Sequence, residues 1–137
     1  MENKNDDIPF NLKYPLVLLN ACQKGDIRLI NTLLKNHYCF INHNSYKLKL
    51  DIFNIRDAHG AGVFHYAARG DQISVLKYFW PFLKNKTIPK TYFYSTPAHD
   101  ASVFGSLKSL QWLIKYDEYQ LLAKDIDGCN VLHLSAR

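Results

Sequence analysis

The side chains in this 137-residue sequence best suited to binding metals or relaying protons are six histidines and three cysteines. His65, His99 and His133 stand 34 residues apart, twice. A catalytic set converges from unrelated places in a chain. Residues recurring at one interval occupy one structural place, so each of these histidines is predicted to hydrogen-bond between neighbouring turns. His37, Cys39 and His43 bring ligand-type side chains close together, but a zinc site wants four ligands and no second pair lies at a suitable spacing. His99 and Asp100 suggest a base and its orienter, yet adjacent helical residues point about 100° apart. Asp100 is instead predicted to hydrogen-bond at the surface or between helices. The sequence contains no glycine-rich phosphate loop, nucleophile elbow or paired-carboxylate motif. It predicts no catalysis, no cofactor and no metal.

The elements that position these histidines are clearest from Ser95 to Leu113, STPAHDASVFGSLKSLQWL. Thr96 and Pro97 start a helix, with proline near the first position, where its missing N–H costs nothing. Ala101 and Ser102 keep that helix thin, and Gly105 supplies the positive φ for a reversal. Leu107, Leu110, Leu113 and Ile114 then recur three or four apart, the period of a second helix burying one face. So short a pair cannot bury its own apolar surface and needs similar units on either side. With its period of 34, the pattern is that of an ankyrin repeat, and the fold class is all-α, a solenoid of helix-turn-helix units with short hairpin loops.

The same pattern places repeats at about 14–36, 57–83, 91–117 and 125–137, preceded by a disordered or capping N-terminus over 1–13. In the first repeat Leu16 to Cys22 and Ile27 to Leu34 form the helices, Gly25 makes the turn, and Leu19 replaces the histidine. From Leu19 to His65 is 46 residues, 12 beyond the period, so an inserted loop is expected over 37–53; its alternating apolar and lysine residues suit a short strand or hairpin. In the second repeat the left-handed position falls on Asp71, one residue after Gly70. Either the reversal shifts by a residue or aspartate adopts αL. By that register Gly105→Val should damage the fold more than Gly70→Val. Pro81 should end or kink the second helix at Trp80, and Trp80 and Trp112 are expected in the core. The loop at Lys90 to Tyr94 lacks the usual glycine and is aromatic instead. The fourth repeat stops after its first helix, predicting a fragment with Val131, Leu132 and Leu134 in an uncovered, poorly soluble patch.

Composition agrees with one packed domain: 47% of residues are hydrophobic. No run of eighteen apolar residues exists and the start, MENKNDDIPF, is polar, so neither a membrane span nor a secretory signal is expected, and the cytoplasm is the default location. Three irregularly spaced cysteines predict reduced thiols. The net charge of +5 is dispersed and interrupted by Asp117, Glu118, Asp125 and Asp127, which argues against nucleic-acid and membrane-surface partners.

Over about residues 55–137 the sequence resembles the N-terminal ankyrin array of the espins, actin-bundling proteins. The distinguishing residues are TPAHDAS, then SLQWL, then DIDGCNVLHLSAR, where generic repeats have TPLHLAA. The first third is only weakly similar. The resemblance implies a binding module of a cytoskeletal protein in actin-rich protrusions, with a class III myosin tail as partner. Actin bundling in that family belongs to regions C-terminal to the array.

In such a stack a partner is expected on the concave side, formed by the turn tips and the outward positions of the first helices. Register aligns Ala58, His59 and Ala61 with Tyr92, Phe93 and Ser95, and then with Ile126, Asp127 and Cys129. The candidate partner-binding residues are His59, Arg69, Tyr92, Phe93, Val103, Phe104 and Asp127. A generic adaptor serving an unrelated protein is the alternative function.

Overall fold

A computed structural model describes residues 10–35, 52–83 and 87–135. The elements are α1 (Phe10–Lys24), α2 (Ile27–Leu33), a helical turn at 52–54, α3 (Val63–Arg69), α4 (Ile73–Phe79) with a 3₁₀ turn (Trp80–Phe82), α5 (Pro97–Phe104), α6 (Leu107–Tyr116), α7 (Tyr119–Leu122) and α8 (Val131–Ser135). The described residues contain no strand. Helices α1, α3, α5 and α8 stack in one layer, each against the next, and α2, α4 and α6 pack behind their partners. The chain is therefore an all-α solenoid of paired helices, as the periodicity predicts.

The inner helices α3, α5 and α8 each begin with a local device. At α5, Thr96 is the N-cap: its hydroxyl accepts from His99 N–H, and His99 Nδ1 lies 3.2 Å from Thr96 N. Nε2 of His99 then reaches the Cys129 carbonyl of the following repeat at 2.9 Å. His65 does the same with Gly62 N and the Ser95 carbonyl. A carbonyl only accepts, so Nε2 carries the proton and Nδ1 is the acceptor. His133 differs: it is exposed and, among the described residues, makes only the local pair with Asn130. The bond to a neighbouring turn expected of all three histidines is thus seen in two.

Several details depart from the sequence-based expectation. Helix α1 starts at Phe10 rather than Leu16 and runs through Pro15, so residues 10–13 are helical. The insertion lies largely outside the described residues, as do His37, Cys39 and His43; its last described residues form a helical turn in which Ile52 is buried and Phe53 stacks on Phe64. Val131 is buried in the core, not in an uncovered patch, because α8 packs on α5 and α7; Leu132 is exposed. Trp80 and Trp112 are half-buried against the core, edge to face at 5.5 Å. Between the third and fourth repeats α7 brings in Gln120, fully buried, whose Oε1 accepts from Ala98 N and satisfies a donor in the first turn of α5.

The reversal in the second repeat is made by Asp71 itself, at φ 55, while Gly70 stays at φ −90. Asp71 is useful there. Its Oδ1 accepts from Ser109 N at 2.8 Å, in the first turn of α6, where the N-cap Ser106 makes no side-chain cap; Ser106 instead donates to the Arg69 carbonyl. One repeat thus caps the second helix of the next.

Burial pushes the His65 imidazole below its ordinary 6.5, with Asp100 and the Ser95 carbonyl pulling the other way. Protonation would also turn Nδ1 into a donor facing Gly62 N–H. The unfolded chain therefore takes up this proton before the folded one does. The His65 contribution is complete above about 6.5 and is lost as pH falls below it. Asp57 does not share this window. Burial raises its pKa, but N–H and O–H donors from Ala61, Tyr66 and His59 and the Arg69 charge leave it below 3.8, so its contribution is lost only in stronger acid. Thermal melts should hold steady above about pH 7 and drop towards about pH 5, with a shallower slope in His65→Gln. A midpoint that rises on acidification would contradict this.

Candidate protein-binding surface

The surface is built from three fingertip turns of one design. Asp57, Thr91 and Asp125 begin them, 34 residues apart. Asp57 Oδ1 accepts from His59 N and Ala61 N, each at 2.9 Å. Asp125 Oδ1 accepts from Asp127 N and Cys129 N at the same distance. In the middle turn the Thr91 hydroxyl takes that part for Phe93 N and Ser95 N, at 3.3 and 3.0 Å. Backbone bonds close each turn in the same way: Gly60 N to Asp57 O, Tyr94 N to Thr91 O, Gly128 N to Asp125 O. Further bonds join one finger to the next, from Tyr92 N to His59 O and from Ile126 N to Phe93 O. The expected register is the observed one, and the backbone holds the fingers without help from the side chains that they display.

Those side chains are largely apolar and largely in solvent. Tyr92 is 63% exposed, Phe93 49% and Tyr94 57%. Phe93 lies 6.1 Å from the His59 ring, and Tyr92 covers Gly60, where an added Cβ would sit 2.9 Å from Tyr92 N. His59, Tyr92, Phe93 and Asp127 thus come together along one edge. The sequence-based candidates omitted Tyr94. It holds φ 61 where the equivalent Gly60 and Gly128 hold 90 and 77, and the missing glycine at that register was the available signal.

Val103 and Phe104 are separate from this edge, at the C-terminal end of α5, and are also exposed, at 62% and 57%. Arg69, the register equivalent of Val103, is less available. Its Nε pairs with Asp100 Oδ2 at 2.8 Å, and its guanidinium lies 4.7 Å from the centre of the Tyr66 ring. Tyr66 in turn donates to Asp57 Oδ2. This half-buried network runs from the first fingertip to the two inner helices, α3 and α5, and it gives Asp100 the interhelical role expected of it. Arg69 is therefore a brace between α3 and α5.

Cys22 is buried and its thiol is pushed up to about 12 by burial, which leaves it a poor nucleophile at neutral pH. Among the described residues no group of three or more histidine, cysteine or acidic side chains is placed to hold a metal, and no helix is long and apolar enough to cross a membrane.

No family model and no curated protein matches the sequence. Solved structures do. A chain in the crystal structure of the yeast ribosomal protein Rps3 in complex with its chaperone Yar1 superposes with a TM-score of 0.72. The match covers 93% of this chain and 86% of that one, at 16% identity. The likeness establishes a helical ankyrin-repeat fold. In all, 214 chains of solved structures match, so the fold is widely shared and by itself names no partner.

Proposed function

We propose that the chain is a protein-binding module without catalysis, holding an extended or helical partner segment across the fingertips and the outward ends of its inner helices. The observation that carries this is the exposure of Tyr92, Phe93, Val103 and Phe104 on a backbone already satisfied by its own hydrogen bonds. Exposed aromatic residues on a rigid frame are the kind of anchor that dominates interface energy, about 2 kcal/mol or more each. A protein partner also suits the matched complex, which is one of a chaperone with its protein client. The finer identity that the sequence motifs support is an espin-like array taking a class III myosin tail segment; the generic adaptor is its alternative. Pull-down with that tail separates the two.

Phe93→Ala and Phe104→Ser test the surface directly. Each should weaken partner binding about tenfold or more while leaving the thermal midpoint within a few degrees, since neither ring is in the core. Variants that melt much earlier would make these rings structural. Variants that bind as the parent does would move the partner to another face.

A further inference from the structure

A cation precedes the capping residue of every fingertip: Arg56, Lys90 and Lys124, each 34 residues from the next. The bonds between fingers set these positions in a row, and Arg56 Nη1 donates to the Lys90 carbonyl at 3.1 Å. In the two outer fingers the next residue is an aspartate, which caps its turn and places a carboxylate next to the cation in sequence. In the middle finger Thr91 caps with a neutral hydroxyl, so Lys90 has no carboxylate in its own turn. Its ammonium lies against Tyr119 instead, 3.1 Å from the hydroxyl and 4.7 Å from the ring centre. The third finger has the opposite balance, with Lys124 against Asp125 and Asp127.

The same middle finger carries the three exposed aromatics. Tyr94 is the strained one, an aromatic residue in the left-handed region at a place held elsewhere by glycine. Its N–H closes the turn on the Thr91 carbonyl, while among the described residues its side chain makes no hydrogen bond or ring contact. Strain kept at an exposed position points outward.

We infer that the middle fingertip docks an acidic segment of a partner protein, one that sets an Asp or Glu carboxylate beside an apolar or aromatic side chain. Lys90, with Arg56 beside it, receives the carboxylate, and Tyr92, Phe93 and Tyr94 receive the apolar neighbour. Asp127 at the next fingertip repels a second acid, which gives the segment a direction across the fingers. The chain's net charge of +5 favours the approach of an acidic partner. This rests on the protein-binding function proposed above.

Selection of displayed random dodecapeptides on the whole chain tests both, with Lys90→Glu, Tyr94→Gly and Lys108→Glu as comparators. Lys108 is exposed on α6, away from the fingers. Enriched peptides should pair Asp or Glu with Phe, Trp or Leu. A synthetic consensus peptide should lose affinity about tenfold on Lys90→Glu or Tyr94→Gly and keep it on Lys108→Glu. Tyr94→Gly should also keep or raise the melting midpoint, since it relieves the backbone. Enrichment without acidic residues overturns this inference and leaves the binding function standing. Failure to enrich any peptide overturns both. Tighter binding of fluorescent oligo(U) RNA than of the consensus peptide would assign the basic, aromatic finger to single-stranded nucleic acid instead.

Discussion

Gly70→Val is expected to leave much of the chain unfolded, while Gly105→Val folds with a modest loss, the reverse of the ranking that the turn register suggests. Gly105 does hold φ 69, and a β-branched residue there is strained by about 1–2 kcal/mol. Around it, however, there is room: an added Cβ meets nothing within 4 Å. Gly70 needs no unusual φ, yet its Cβ would sit on the Gln23 carbonyl, 2.8 Å from the carbon and closer still to the oxygen. Gln23 belongs to α1, which stacks directly on α3. Neither partner is a flexible side-chain end, so relief requires the two helices to separate and their shared core, including Cys22, Ala67 and Ala68, to loosen. Overpacking of this kind costs about 3 kcal/mol or more, a large part of a stability of about 5–15 kcal/mol. Urea titration followed by circular dichroism gives both midpoints. A lower midpoint for Gly105→Val would show that α1 and α3 do not meet at Gly70.

That reversal marks where a sequence stops being informative about this fold. Features set by one repeat are legible: Thr96 as cap, Gly105 as turn, Pro81 as the limit of α4, and the alignment of Tyr92 and Phe93 with His59 and Asp127. All follow from local chemistry and a constant interval. Features set by the contact between repeats are not. Gly70 answers to a carbonyl 47 residues earlier, Asp71 to an amide in the next repeat, and Gln120 to a donor at the start of α5. Register marks Asp71 and Gly70 as unusual, but none of the three residues shows alone which group in another repeat it meets. Tyr94 is an intermediate case. The missing glycine is visible in the sequence, but only the backbone shows that tyrosine adopts the glycine conformation instead of avoiding it. The register position of Arg69 points outward and suggests a free anchor, but the Asp100 that ties it down comes from the neighbouring helix.

His99→Ala should cost about 3–4 kcal/mol, and His133→Ala close to nothing, although the two residues occupy the same place in the repeat. His99 is 1% exposed, and its ring connects three groups: Thr96 N, the Thr96 hydroxyl and the Cys129 carbonyl. Alanine leaves a cavity where the ring was, worth about 2 kcal/mol or more. It also strands the buried Thr96 N–H and removes the donor to Cys129, at about 1–3 kcal/mol for a buried group left unpaired. Only one of those bonds crosses to the next repeat, so the loss should be uneven along the chain. Amide exchange should accelerate most between Asp125 and Ser135, where the fourth turn and α8 depend on that link. The α1–α4 region should keep nearly the parent's protection, since in a stacked array each unit leans on its neighbours alone. His99→Gln offers a check on the cause. An amide long enough to reach Cys129 should restore the protection of the fourth turn if the crossing bond matters, whereas His99→Leu, with similar bulk and no donor, should restore it equally if the cavity accounts for the whole effect. Uniformly faster exchange across all repeats in His99→Ala would mean that the stack unfolds as a single unit and that His99 is not a link between two separable parts.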